Sequence, residues 1–354
     1  MENYFIIDSH AHIIPQLSGA SGYSSKEDHL DISQRSMHEH LAQPARKKKD
    51  NSIVNKELWD DTYGDKGKLN VNFKVGKYGR FEWIQDDEEC YIQYLPTYSK
   101  NMDYTVDQLK IMMDYAGVNK AVLQCGGVYG NLNKYYLSQI KNNKLWNTLF
   151  YPLLRINEKN ASTKKELSNF VKYIKKYNFS GLWFISDKSS FTDQYDELWN
   201  KVSEYNIPVF LPFFPDEQWG ERMSIIDKFT DKYPNIPCVL PQAFPLSAKK
   251  KDSKIVLSKK IKNIIMKGNI YIEIIYPIGR GQIEEYPFKI SHEAIKLLYN
   301  EFGAKKLVWG SDIPMIERYC SYSQSLNYIT NYCEWINNND LKLILGENLK
   351  NIFK

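Results

Sequence analysis

Six histidines are spread through 354 residues, and two of them, His10 and His12, stand one residue apart in Ile6-Ile-Asp-Ser-His-Ala-His12, directly after an apolar run. Residues two apart in a β-strand project to the same side. Two imidazoles leaving a strand end together can grip one edge of a metal ion, since neutral imidazole is a common ligand for Zn²⁺, Mn²⁺ and Fe²⁺. The same spacing serves a turn with two solvated histidines, and H-x-H alone does not decide between the two. A second chemical group lies near the other end of the chain. In Trp309-Gly-Ser-Asp-Ile-Pro314 an apolar strand ends, glycine permits a tight exit and Asp312 stands at the tip. Two imidazoles and one carboxylate form a ligand set that keeps coordination positions open for water and substrate. Asp312 by itself reads equally as a turn or helix-cap aspartate; its pairing with H-x-H tips the balance toward a site.

The elements between these groups decide whether they can meet. Short apolar, β-rich runs occur at 4–7, 120–124, 149–154, 181–185, 207–211, 237–240, 270–275 and 307–309. Near-continuous apolar runs suit strands buried on both faces of a parallel sheet. Helical patterns alternate with them. Thr105-Val-Asp-Gln108 and Thr163-Lys-Lys-Glu166 read as capping boxes, with Gly117 placed to end the first helix. Further helical patterns lie near 193–205, 217–232, 254–266, 291–302, 323–336 and 340–353. Eight βα units predict an α/β fold, a (β/α)₈ TIM-type barrel. An open doubly wound sheet fits less well, because no glycine-rich phosphate loop follows the first strand. In a closed barrel the first and eighth strands are neighbours, which would bring His10, His12 and Asp312 to one mouth.

Residues 16–104 break this rhythm with mixed polarity and many charges, where the first β-to-α connection belongs. Structureless connections of this length are uncommon in compact domains. With Trp59, Phe73, Phe81 and Trp83 inside it, the stretch reads as an inserted lid that roofs the pocket, within a single domain spanning 1–354. It also carries His29, His38 and His40.

The totals bound the function. A net charge of +5, from 47 basic and 42 acidic residues, is too mild and too dispersed to suggest nucleic acid. The runs Arg46-Lys-Lys-Lys49 and Lys249-Lys-Lys251 read as solvated loops. Five cysteines, none in a C-x-x-C pair, argue against a disulfide framework and for a reducing cytoplasm. No segment approaches the apolar length of a membrane span. A small molecule is the expected partner.

Asp8-Ser-His-Ala-His12 and Gly310-Ser-Asp-Ile-Pro314 resemble the paired end motifs of the amidohydrolase-related family, the branch of the amidohydrolase superfamily that includes aminocarboxymuconate semialdehyde decarboxylase and the resorcylate-type decarboxylases. The stretches 108–122, 179–184 and 343–353 resemble its first helix and second strand, its fourth strand and its terminal helix. The resemblance implies a (β/α)₈ barrel with one divalent metal, Zn²⁺ ahead of Mn²⁺. It implies His10 and His12 as ligands and Asp312 as ligand and proton carrier. It also implies hydrolysis or decarboxylation of a small organic acid, amide or aromatic compound, and a homodimer, for which the chain offers no independent sign.

Two positions depart from that family. Its fifth strand ends in a metal-binding histidine, where this chain has Pro212 or Phe213; its sixth ends in a catalytic histidine, where this chain has Gln242. The fourth strand offers Trp183 and no lysine, against a carbamylated two-metal site, and His292 begins a helix. Three readings follow. The metal survives on His10, His12 and Asp312 with a substitute ligand, Glu273 first and His38 or His40 next. Alternatively, metal binding is weak or lost and the barrel serves transferase or condensation chemistry, with Gln242 orienting substrate by hydrogen bonds. In the third, the barrel only binds a ligand or partner. Glu273 could equally form a salt bridge, as a charge in an apolar strand needs a partner. Arg155, ending the third strand, could take a substrate carboxylate bidentately or form a structural ion pair. Gln124 and Cys125 end the second strand, and Cys125 lacks a nearby histidine to activate it. Asp187, Glu217 and Arg280 are weaker pocket candidates, and Arg35 with His38 and His40 is an anion-binding candidate in the insertion.

Overall fold

The computed structural model describes residues 4–40, 42–143, 146–185, 190–212, 219–241, 249–251, 254–275 and 285–354. Among them, eight strands pair in sequence order: β1 (Ile7–Ala11), β2 (Lys120–Leu123), β3 (Phe150–Arg155), β4 (Gly181–Trp183), β5 (Val209–Phe210), β6 (Cys238–Leu240), β7 (Ile270–Ile275) and β8 (Leu307–Gly310). Every neighbouring pair is parallel. Just past its end β8 returns to β1. A parallel bridge joins Ala11 to Ile313, the His12 N–H donates to Ile313 O at 2.9 Å, and the Asp312 N–H donates to His10 O at 2.9 Å. The sheet thereby closes into a (β/α)₈ barrel, as the alternating pattern predicts.

The first strand lies later than expected, at Ile7–Ala11 instead of 4–7, and all five of its residues are buried. Asp8, Ser9 and His10 are polar, yet each finds a partner within the barrel, so the strand extends through them. The Thr105 capping box forms, and Gly117 ends its helix, Val106–Ala116, in the left-handed conformation at φ 74°. Thr163 caps Lys164–Tyr177, but Glu166 accepts the Asn157 N–H instead of closing the box. The pattern near 254–266 divides into a short hairpin and the helix Lys259–Lys267. The helix Asn133–Asn142, after β2, was not anticipated.

The insertion after β1 has its own architecture. A helix, Lys26–Glu39, capped by Ser25, precedes a five-stranded antiparallel sheet in the order 53–54, 45–47, 88–93, 80–85, 74–75. In Arg80–Gln85 the buried side chains are Phe81 and Trp83, the alternation of a sheet covered on one face. Asp86 and Asp87 both take positive φ, 51° and 58°, between the paired residues Gln85 and Glu88, a two-residue hairpin turn of the type whose twist matches its strands. The ends of the insertion are zipped together by Ile14 and Tyr104, whose N–H groups donate to each other's carbonyls at 2.7 and 3.0 Å. No helix among the described residues is long and apolar enough to cross a membrane.

Candidate metal centre

Closure of the barrel places Asp312 beside the two histidines, because the backbone groups of His10, His12, Asp312 and Ile313 make the closing bonds. Asp312 itself sits at φ 62°, a left-handed position that aspartate tolerates better than most residues. The three side chains are each about as buried, at 4 % exposure. His12 Nε2 lies 3.1 Å from His10 Nε2 and 3.1 Å from Asp312 Oδ1, and His10 Nε2 lies 3.6 Å from that same oxygen. One donor atom from each residue falls within 4.8 Å of the others. The donor set suits a single divalent ion. With bonds of about 2.1 Å, adjacent ligand atoms of a tetrahedral ion stand about 3.4 Å apart.

The other ring nitrogens are held from behind. His12 Nδ1 lies 2.9 Å from the carbonyl of Gln124. His10 Nδ1 lies 2.8 Å from Glu273 Oε2, while Glu273 Oε1 accepts from the Ser9 hydroxyl at 2.7 Å and from the Gln124 side-chain amide at 3.2 Å. Glu273 is fully buried and reaches His10 from the side away from His12 and Asp312; it stands behind the trio and is not part of it. Burial opposes a charge on His10, but Glu273 alongside outweighs it and lifts His10 to about 9. Ligation at Nε2 requires that proton to leave.

A second network fixes the strand ends. Asp8 Oδ1 accepts the N–H groups of His10 and Ser311, each at 2.9 Å, and Oδ2 accepts the hydroxyls of Ser311 at 2.5 Å and Tyr322 at 2.8 Å. Burial pushes the Asp8 carboxyl up to about 6 against these bonds, which favour its charged form. Asp8, Ser9 and Ser311 are members of the two end motifs that were not assigned a role from sequence. Their adjacency to His10 and Asp312 within the two motifs was the available signal.

The remaining candidates lie elsewhere. Arg155 ends β3, but its Nε lies 3.5 Å from Glu158 and its guanidinium stacks over Trp183 at 5.1 Å. His38 faces Asp61 at 3.4 Å, His29 Nδ1 meets Gly19 O at 2.8 Å, and His292 packs against Tyr328 and Trp335. Arg35 is paired with Glu39 and Asp65. The Cys125 thiol is buried and pushed up to about 11, a poor nucleophile. Pro212 ends the fifth strand region and is buried; Phe213, Gln242, Asp187, Glu217 and Arg280 lie outside the described residues. Two tyrosines missed in the sequence border the trio. Tyr129, from the loop after β2, meets the His12 ring edge-on at 5.4 Å, and its hydroxyl accepts from Tyr94 of the insertion at 3.1 Å.

Solved structures share this architecture. A Pseudomonas putida protein provisionally named a 2-pyrone-4,6-dicarboxylic acid hydrolase superposes with a TM-score of 0.59 at 12 % identity, over 100 % of this chain and 98 % of its own. An amidohydrolase from Burkholderia multivorans with bound zinc gives 0.57 at 10 % identity, over 72 % of this chain and 89 % of its own. A dihydroxybenzoic acid decarboxylase from Polaromonas sp. JS666, with bound manganese and the inhibitor 2-nitroresorcinol, gives 0.50 at 16 % identity, over 72 % and 86 %. At these identities the likeness establishes the fold. No curated protein matches the sequence. The amidohydrolase family model matches residues 7–330, nearly the whole barrel and its insertion, and the chain belongs to that family.

Proposed function

We propose that this chain is a divergent, metal-dependent amidohydrolase-type enzyme that hydrolyses or decarboxylates a small organic acid. His10, His12 and Asp312 would hold one divalent ion, Zn²⁺ ahead of Mn²⁺. The observation that carries this reading is the convergence of His10 Nε2, His12 Nε2 and Asp312 Oδ1 at the strand ends, 3.1 to 3.6 Å apart. When bound, such an ion acidifies water and polarises substrate oxygens. The protein's own part is positional. Glu273 and the Gln124 carbonyl hold the Nδ1 atoms, so both Nε2 atoms are turned to one point. Asp312 Oδ2 has no hydrogen-bond partner among the described residues, so the carboxylate can carry a proton there while Oδ1 faces the imidazoles. Arg155 and Gln242 remain candidates for orienting substrate. Zinc and manganese in the neighbouring structures support the metal reading without choosing between the two.

The test is metal content by mass spectrometry on tag-free protein beside a His10→Ala/His12→Ala variant. Near-stoichiometric Zn²⁺ or Mn²⁺ that disappears in the variant is expected. With a panel of small aromatic acids, Asp312→Asn should keep the fold and lower turnover by about 10²-fold or more. Absence of metal from the wild type, even after incubation with divalent ions, would overturn the reading in favour of metal-free chemistry or simple binding.

A further inference from the structure

Positive charge gathers where the insertion meets the segment after β8, and no acid among the described residues neutralises it. Lys56, from the insertion, donates through Nζ to the carbonyls of Met37, at 2.9 Å, and of His40. Arg318 donates from Nε to Met315 O and from Nη1 to Tyr94 O, both at 3.0 Å. The neighbouring Glu317 is turned away to the Tyr98 hydroxyl. His40 lies in this cluster. Its ring meets Tyr94 edge-on at 5.8 Å, and its Nε2 is shielded from solvent without a hydrogen-bond partner among the described residues. Burial, then the charges of Arg318 and Lys56, hold His40 down to about 3, so the ring is neutral near pH 7. Burial also draws Lys56 down to about 8. Partly buried cations without a counter-ion are costly, and a bound anion would relieve that cost.

The cluster reaches the candidate metal centre through the two tyrosines. The Tyr94 hydroxyl donates to that of Tyr129, and the Tyr129 ring touches His12. Both hydroxyls lie within the electrostatic reach of Arg318 and of Asp312. A guanidinium carries five N–H groups, and Arg318 uses two on backbone carbonyls, leaving others for a planar oxyanion. We propose that Arg318, with the His40 imidazole and the Tyr129 hydroxyl, which accepts from Tyr94 and donates only weakly to Met315 Sδ at 3.9 Å, receives the carboxylate of a small organic acid whose reacting end lies at His10, His12 and Asp312. The proposal rests on the catalytic reading above and names its substrate's recognition group. Arg35, the anion candidate suggested by sequence, is already paired with acids, whereas Arg318 meets none among the described residues.

The test is calorimetric titration of the full-length protein as purified, with 2,6-dihydroxybenzoate and with resorcinol, the same ring and hydroxyls without the carboxylate. Wild type should bind the carboxylate at least about ten-fold more tightly. Arg318→Gln should abolish that preference and Arg318→Lys should keep part of it; both should retain metal content and a cooperative fold, with stability lower by no more than the bonds to Met315 O and Tyr94 O are worth. Lys56→Met, which leaves the Arg318 bonds intact, should weaken only the carboxylate, by about three-fold. Equal affinities in wild type, binding of neither probe at millimolar concentration, a preference that survives Arg318→Gln, or displacement by equimolar inorganic phosphate would overturn the proposal. Wild type that lacks metal yet discriminates through Arg318 would instead sink the metal-dependent reading and leave this subsite standing.

Discussion

Glu273 shows how much one buried carboxylate does here. Its oxygens accept from Ser9, from Gln124 and at His10 Nδ1, so it ties β1, β2 and β7 together at the candidate metal centre. A glutamine in its place offers one acceptor oxygen and an NH₂ that would face another donor. Glu273→Gln should therefore lower metal affinity by about 10- to 100-fold, read by competition with a chelator while circular dichroism stays unchanged. Unaltered affinity would deny Glu273 any part in orienting His10. The sequence made His10, His12 and Asp312 legible as a potential ligand set because two of them are spaced for one strand face and the third ends an apolar strand. Glu273 was legible as a charge needing a partner, with metal the first partner considered. That it meets the far nitrogen of His10 depends on the pairing of β7 with β8 and of β8 with β1, which no local pattern encodes.

At the scale of elements, Gly310 explains why β8 can end so close to β1. A Cβ there would stand 2.6 Å from Ser9 Oγ and 3.0 Å from both Glu273 Oε1 and His10 Cβ. Gly310→Ala should cost about 1 to 3 kcal/mol by urea denaturation and should also weaken metal binding, because the displaced atoms include those that hold His10. A loss of stability with metal affinity intact would separate barrel closure from the site. The terminal motif makes a similar approach. At Gly346 a Cβ would meet Phe5 O at 2.0 Å, and Asn348 donates to the carbonyls of Ala304 and Leu307, each at 2.8 Å, fastening the last helix to the start of β8. The strands were readable because most are short apolar runs. β1 was placed early because Asp8, Ser9 and His10 are polar and buried together, a combination explained only by their partners. The sheet of the insertion was not readable either. Its central hairpin turns on Asp86-Asp87, where an Asn-Gly pair would have announced the two positive φ angles.

Across the whole molecule, the insertion is joined to the barrel by its zipped neck, by the loop after β2, where Gly22 exchanges backbone bonds with Tyr129 and Asn131 at 2.8 and 3.0 Å, and by a short stretch beyond Asp312. Tyr98 bonds Glu317, the Arg318 guanidinium holds the Tyr94 carbonyl, and the Tyr319 hydroxyl donates to Ala42 O at 2.6 Å and accepts from Gln43 at 2.6 Å. Consecutive side chains of the segment leaving β8 therefore grip the insertion at separate points, and that segment begins where Asp312 enters the trio. We propose that the insertion is a lid: Phe73, Phe81, Trp83 and Ile92 are buried in it, in a hydrophobic core continuous with that of the barrel, and the segment leaving β8 latches it to the site strand. Each lost latch bond is worth about 0.5 to 1.5 kcal/mol. A Tyr98→Phe/Tyr319→Phe variant should then show faster hydrogen exchange in 42–47 and 88–98, with β2, β3 and β7 as protected as in wild type. If the barrel strands lost protection in step with the insertion, the two would form one cooperative unit, and a lid that moves independently of the barrel would have no basis. Retained protection everywhere would place the hold in the backbone bonds that survive both substitutions, those of the neck at Ile14 and Tyr104 and those of Gly22 to Tyr129 and Asn131.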